Sequence, residues 1–311
     1  MAGEPRISVA MPVFNGGRYL AQAVESIVSQ TFENFEFIII DDGSTDDSRQ
    51  ILEKYASADP RIRLFSRANT GYTIALNEAL GRARGTYLAR MDADDVSLPR
   101  RFEKQAAFMD AHPQHVAVGC RVLLIDPDGE ALGEVHPFES HERIDAMHMG
   151  AGCGAVITHP SAMFRVSTLR ELGGYRQDFE PAEDLDLFLR LAEVGRLAKL
   201  PDVLLKYRVH LASVGHSRRV TQLLTMRRVV ADARARRGLP APAGAPDPEP
   251  VEPPVSDHYL GWASAAVKYG NRKTARKHLR AALRLSPLSI RGWYLALRSL
   301  LPRRGEAANR K

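Results

Sequence analysis

Phe35-Glu36-Phe37-Ile38-Ile39-Ile40-Asp41-Asp42-Gly43-Ser44-Thr45 is a short apolar run that ends in two carboxylates and a turn. Phe35 to Ile40 is too short for a helix and too continuously apolar for a strand with one wet face, so it reads as a strand of a parallel sheet buried on both faces. Upstream, Ile7 to Met11 reads as a strand, and Arg18 to Ser29 places Leu20, Ala21, Val24, Ile27 and Val28 at helical spacing. Downstream, the pattern predicts a helix over 46–58, a strand over 62–65, a helix over 72–83 and a strand over 86–89. Strands alternating with helices of this length define an α/β fold of βαβ units with a mostly parallel sheet and right-handed crossovers. Open sheets of this kind bind ligands at the carboxyl ends of their strands. Three loops are expected there: Pro12 to Gly17, Asp41 to Thr45, and Met91 to Asp95.

Met91-Asp92-Ala93-Asp94-Asp95 puts three carboxylates within four positions. Like charges this close repel, and a hard divalent cation, Mg²⁺ or Mn²⁺, is the usual partner that offsets them. A plain solvated turn is the simpler alternative, because Asp favours turns through local hydrogen bonds. Asp42 can accept hydrogen bonds from a base N–H or a ribose hydroxyl. Gly43 lets the backbone turn, and Ser44 or Thr45 is placed to cap the next helix. Glu183-Asp184-Leu185-Asp186-Leu187 opens a helix over 184–194. Its carboxylates suit the helix dipole, and they equally suit a general base for deprotonating an acceptor hydroxyl. Tyr207-Arg208-Val209-His210 follows a strand expected at 204–209. It offers a cation for a diphosphate and an imidazole for a metal. His159-Pro160-Ser161 reads as an acceptor-pocket wall or as a turn.

Two common nucleotide sites are missing. The first strand is followed by Pro12-Val13-Phe14-Asn15-Gly16-Gly17, not by the G-x-G-x-x-G of a dinucleotide fold, and no G-x-x-x-x-G-K-[ST] phosphate loop occurs. Asp126-Pro127-Asp128-Gly129 lies between strand patterns at 116–125 and 131–135 and reads as a hairpin turn. Its two Asp lack the other ligands of a calcium loop.

The chain has 311 residues, 44% hydrophobic and 26% charged, which suits a soluble globular protein. No window reaches the ~18 apolar residues of a membrane span, and no signal-peptide core precedes the first strand. A cytoplasmic location is therefore expected. Cys120 and Cys153 make no disulfide framework. The net charge of +6 divides into −5 over residues 1–255 and +11 over 256–311. The main part is accordingly not expected to bind nucleic acid. The expected domains are 1–238, a proline-rich linker at 239–255, and a basic helical extension over 256–311. The extension shows helix patterns near 257–269, 272–285 and 290–301. The middle one carries Arg272, Arg276, Arg280 and Arg284 on one face and Ala275, Leu279, Ala282 and Leu283 on the other, and it resembles the second half of a tetratricopeptide repeat. Two roles compete for it: a helical hairpin packing on the catalytic domain or a partner, and lying on the inner face of the cytoplasmic membrane, with Arg and Lys facing anionic lipid and Trp293, Tyr294, Leu297, Leu300 and Leu301 at the interface.

The motifs S-V-A-M-P-V-F-N at 8–15, S-I-V-S-Q-T-F at 26–32, I-I-D-D-G-S-T-D at 39–46, N-T-G at 69–71, A-L-N at 75–77, M-D-A-D-D at 91–95, H-P-S-A-M-F-R at 159–165, E-D-L-D-L at 183–187 and Y-R-V-H at 207–210 together resemble glycosyltransferase family 2 over about residues 5–215. The resemblance implies a GT-A fold, with a nucleotide-binding half to about residue 98 and an acceptor-binding half to about 238. It also implies inverting, metal-dependent transfer from a nucleoside-diphosphate sugar, by analogy a UDP-sugar, to a glycan or lipid-linked saccharide acceptor. On that reading Pro12, Phe14 and Asp42 hold base and ribose. Gly71 and Asn77 sit on the adjoining loop and helix start, and Arg208 meets the diphosphate. Asp92 and Asp94, flanking Ala93, form the D-x-D with Asp94 nearest the metal. His210 is a further metal or phosphate ligand. Asp184 is the base and Glu183 its substitute, while Asp95 is structural support. The linker and tail lie outside the family pattern. A sugar-phosphate nucleotidyltransferase is the alternative enzyme, but it would need a Gly-rich basic loop after the first strand, which Phe14 to Arg18 matches poorly. A non-catalytic nucleotide-sugar-binding module is the third reading.

Overall fold

From the N-terminus the elements are β1 (Ile7–Val13), α1 (Gly17–Val28), β2 (Phe35–Asp41), α2 (Ser48–Ala58), β3 (Ile62–Ser66), α3 (Tyr72–Arg82) and β4 (Tyr87–Arg90) in a computed structural model that describes residues 4–135, 140–150, 156–240 and 249–300. β1 pairs in parallel with β2, Ile7 opposite Phe35 and Val13 opposite Asp41, and on its other side with β4, Ile7 opposite Tyr87. β3 extends the parallel set beyond β2. The strand order runs β3-β2-β1-β4, so it reverses between β1 and β4, and such a reversal opens a crevice at the carboxyl ends of the two strands.

Both β1 and β2 are buried along their whole length, which is why their side chains are almost uniformly apolar. Ser8, Glu36 and Asp41 are the exceptions, and Glu36 is the charge within the strand run. Its carboxylate accepts from the Ser8 hydroxyl at 2.7 Å and pairs with Arg63 at 2.5 Å and Arg84 at 2.8 Å, so the buried charge is fully matched.

The chain continues through β5 (Val96–Ser97), α4 (Arg101–Ala111), β6 (His115–Ile125), β7 (Ala131–Val135), α5 (His141–His148), β8 (Met163–Arg165), α6 (Val166–Glu171), α7 (Glu183–Val194), β9 (Arg196–Arg208), α8 (Val214–Ser217) and α9 (Arg219–Arg236). β8 runs antiparallel between β4 and β6, and β9 and β5 complete the sheet beyond β6. β9 is much longer than the strand expected at 204–209. Pro201 interrupts its apolar pattern and is exposed within it. The hairpin between β6 and β7 closes as expected: Asp126 N–H donates to Glu130 O at 2.9 Å, Gly129 N–H to Asp126 O at 2.9 Å, and Gly129 has φ +85°.

The chain forms two compact units. The first takes residues 1–122, 136–207 and 221–248, and the second takes 123–135, 208–220 and 249–311. The parting expected at 239–255 is therefore not the whole division, because the β6–β7 turn and the segment after β9 group with the C-terminal helices. Those helices are α10 (Val255–Tyr269), α11 (Arg272–Leu285) and α12 (Ile290–Leu300). Gly270, at φ +98°, ends α10, and the Asn271 side chain accepts from Thr274 N–H at 3.2 Å to cap α11. Leu260, Ala263, Leu279, Ala282 and Leu295 form their core. Within the second unit Asn271 donates to Ala131 O at 3.0 Å, and the buried Asp126 meets Lys277 at 2.6 Å and His278 at 2.9 Å. The helices thus pack on the β7 hairpin of their own unit. Cys120 is buried. Cys153, Leu301 and residues 241–248 of the proline-rich linker lie outside the described residues.

Candidate active site

β1 delivers Pro12, buried, and Phe14, whose ring is 53% exposed just past the strand end. Asn15 follows at φ +51° and binds the β1 loop to the β2 loop: its N–H donates to Ser44 Oγ at 3.0 Å, and its side-chain oxygen accepts from Thr45 N–H at 2.8 Å. Ser44 and Thr45 therefore do not cap α2, contrary to the sequence expectation. That helix starts at Ser48, and the turn before it is held by Asp46, which accepts from Ser48 N–H at 3.0 Å and from Gly17 N–H at 3.0 Å. Gly43 has φ +79°, and a Cβ there would lie 2.7 Å from Asn69 N, so the β2 loop and the loop before α3 meet backbone to backbone.

Asp42, at the end of β2, is buried. Its oxygens accept from Thr70 N–H and Gly71 N–H, both at 3.0 Å, and from Arg67 at 3.0 Å. A carboxylate offers about four acceptor positions, so this residue shapes the loop and keeps capacity for one further donor. Gly71, at φ +112°, has open space where a Cβ would stand. Asn77 sits in the middle of α3 and not at its start, as the sequence reading had it. Its amide donates to Tyr175 O and accepts from Tyr175 N–H, both at 2.8 Å, so it positions the segment that leads to α7.

The acidic cluster follows β4. Gly16 lies against Ala93, since a Cβ at Gly16 would be 3.3 Å from Ala93 Cβ, and this brings the β1 loop onto the D-x-D. Asp92, Asp94 and Asp95 each offer a carboxylate oxygen, all within 4.8 Å of one another. Asp95 is buried, and Asp92 and Asp94 are half-buried. Arg90, a fully buried residue between the strand expected at 86–89 and the acidic loop, donates to Asp92 Oδ1 and to the Tyr72 hydroxyl. Burial raises the Asp92 pKa, Arg90 opposes that, and Asp94 adds to it. Three hard oxygen donors grouped this closely, one of them held by Arg90, fit a divalent cation of the Mg²⁺ or Mn²⁺ kind.

Glu183 and Asp184 open α7. Asp184 Oδ1 accepts from Leu185 N–H at 2.7 Å. Burial pushes both carboxyls up. Glu183 is also raised by Asp184, and Asp184 by Asp92, so the two acidic groups share one field. Asp186, two residues on, has another task. It is fully buried and ion-paired to Arg190 at 2.8 Å and to Arg176, which anchors the helix. Tyr72, Tyr175 and Tyr207 border the same charges, and burial raises the pKa of all three, so they stay protonated as hydroxyl donors. Single aromatic residues carry no motif, and Tyr72 and Tyr175 escaped notice for that reason. His159 is buried in a 3-10 turn over 159–161, its Nε2 2.8 Å from the Tyr175 hydroxyl, and its pKa is driven down by burial. Arg208 and His210 belong to the second unit. Arg208 is buried and donates to Asp126 O at 3.2 Å and Pro127 O at 3.3 Å, bracing the hairpin turn where the sequence suggested a diphosphate contact.

A nucleotide-type crevice at a sheet reversal, a D-x-D at its edge and a carboxylate pair on a facing helix define the GT-A class of glycosyltransferase. Residues 8–173 match the family described as glycosyl transferase family 2, and the chain belongs to that family. EpsE of Bacillus subtilis is 38% identical over 213 residues, 67% of this chain and 74% of that protein. The O-antigen biosynthesis glycosyltransferase WbnJ of Escherichia coli is 34% identical over 210 residues, 66% of this chain and 80% of that protein. A mannosyltransferase from Pyrobaculum calidifontis, PcManGT, solved in complex with GDP-Man and Mn²⁺, superposes with a TM-score of 0.58 at 21% identity over 95% of this chain and 79% of that one, a likeness of fold. Among the described residues no helix is long and apolar enough to cross a membrane.

Proposed function

We propose that the chain transfers a sugar from a nucleoside-diphosphate sugar to a hydroxyl of a glycan or lipid-linked saccharide, with inversion, in the synthesis of a cell-surface polysaccharide. The carrying observation is the cluster of Asp92, Asp94 and Asp95 carboxylates after β4, with Asp184 at the start of α7 close enough to Asp92 to be raised by its charge. Phe14 offers an exposed ring on which a base can stack. Pro12 and Gly71 shape the floor and rim of that pocket, and Asp42 takes one donor from base or ribose. Asp92 and Asp94 hold a divalent metal, which when bound neutralises the charge of the leaving diphosphate. Asp184, half-buried, reaches an acceptor better than Glu183, which is buried.

Asp184 removes the proton of the acceptor hydroxyl as that oxygen bonds to the anomeric carbon. The bond from the anomeric carbon to the diphosphate oxygen breaks with its electron pair, and the nucleoside diphosphate leaves. One displacement inverts the anomeric centre. WbnJ supports the polysaccharide setting by its name, and the GDP-Man of PcManGT makes GDP-sugars a fair rival to the UDP-sugars suggested by sequence.

The test is release of nucleoside diphosphate from a panel of UDP- and GDP-sugars with Mn²⁺, with and without saccharide acceptors. Asp94→Ala and Asp184→Asn should each lose activity while keeping the wild-type circular dichroism spectrum. For the base, a loss of about 10²–10⁴-fold in kcat is expected. Near-normal turnover by Asp184→Asn overturns the base assignment, and turnover unaffected by chelation and by Asp94→Ala overturns the metal site.

A further inference from the structure

Helix α12 has one face that its own unit covers and one that no described residue of that unit covers. Gly292, Leu295 and Ser299 are buried, and Leu295 joins the core of the three C-terminal helices. On the other side Ile290, Trp293, Tyr294, Leu297 and Leu300 are between 57% and 87% exposed. At 3.6 residues per turn these five fall within about a third of the helix circumference, so they form one stripe and not a scatter. Leu288, just ahead of the helix, is also exposed. The Trp293 indole N–H donates to Pro287 O at 2.8 Å, so its one polar atom is satisfied while its ring stands in solvent. Arg291 and Arg298 are exposed along one border of the stripe, and Arg298 Cζ lies 6.0 Å from the Tyr294 ring centre.

An apolar stripe of this kind is costly in water and marks a surface that is covered in use. Charge selects the cover. From His258 to Leu300 the sequence has nine Lys and Arg and no Asp or Glu. A second copy docked on this face would set cation against cation with no carboxylate to pair them. An anionic bilayer matches both features, because Trp and Tyr favour the headgroup level and basic residues are drawn to lipid phosphates. We propose that α12 lies in the plane of a membrane surface rich in anionic lipid. Ile290, Trp293, Tyr294, Leu297 and Leu300 enter the acyl boundary, and Arg291 and Arg298 meet the headgroups. This concerns the second unit alone and stands whether or not the catalytic reading does.

The test uses the full chain with phosphatidylcholine vesicles, with and without phosphatidylglycerol. Co-sedimentation with the anionic vesicles that weakens as salt rises is the expected result. Trp262 is buried and Trp293 exposed, so a blue shift of tryptophan emission on binding reports Trp293. Trp293→Glu with Leu297→Glu should weaken binding at least about tenfold while the circular dichroism spectrum stays unchanged. The milder Leu297→Ser should weaken it less and serves if the double variant misfolds. Arg291→Gln with Arg298→Gln should reduce binding to the anionic vesicles alone. The proposal is overturned if wild type does not bind anionic vesicles, if the double variant binds as well as wild type, or if wild type forms a dimer that the double variant dissolves.

Discussion

The buried Arg90 guanidinium donates to Asp92, the first carboxylate of the D-x-D, and from the same nitrogen to the Tyr72 hydroxyl. A cation is thus built into the floor of an acidic site, and it fixes Asp92 before any metal arrives. Arg90→Met removes this counter-charge and leaves Asp92 repelled by Asp94. Breaking a buried pair by removing one partner costs about 3–5 kcal/mol. Asp92 is 27% exposed, which places the expected loss at the lower end. Urea unfolding of Arg90→Met should show a lower midpoint with an unchanged slope, and donor-dependent activity should fall with it. An unchanged midpoint would mean that the pair does not stabilise the site.

The first hundred residues were legible because β1 and β2 are buried on both faces and leave an unbroken apolar run, while the loops after them concentrate Asp, Gly and Asn. The acidic cluster was legible because repulsion makes it improbable without a purpose. Arg90, Tyr72 and Tyr175 were not, because each is a lone residue whose role depends on which strands become neighbours. Asn77 was misplaced for a related reason. Its motif position suggested the start of a helix, yet it sits in the middle of α3 with its amide matched to the backbone of Tyr175, 98 residues away. The two-unit division was hidden because it joins the β6–β7 turn to helices more than a hundred residues later.

That long-range join makes a second prediction. Asp126 is fully buried and held by Lys277 at 2.6 Å, by His278 at 2.9 Å and by the N–H groups of Asp128 and Glu130, both at 3.0 Å. Burial alone would raise its pKa, but these donors outweigh it and hold the carboxyl below the usual aspartate range. A depressed pKa contributes stability above the ordinary value of about 3.9, and that stability is lost as pH falls through the folded-state value. Asp126→Asn should therefore destabilise the second unit by about 1.5–3 kcal/mol at neutral pH and by much less in acid. Limited proteolysis within residues 249–300 of the second unit reads the difference. Equal cleavage rates for wild type and variant at pH 7 would sink the prediction.

The carboxylates that open α7 behave in the opposite sense. Burial raises Glu183 and Asp184 above their ordinary values, and each is repelled by acidic neighbours. A base must be ionised to act, so the acid limb of kcat against pH should lie well above the ordinary aspartate value of about 3.9. For stability the raised pKa has the reverse effect. The folded state binds the extra proton between the unfolded and folded values, so these residues cost least in acid, and the penalty grows as pH rises through the folded pKa. Asp184→Asn and Glu183→Gln should then melt higher than wild type at pH 8, with the advantage shrinking toward pH 4. A variant that loses turnover while gaining stability shows that the charge is kept for chemistry at the expense of the fold. A lower melting temperature for Asp184→Asn at pH 8 would instead make that carboxylate part of what holds α7 in place.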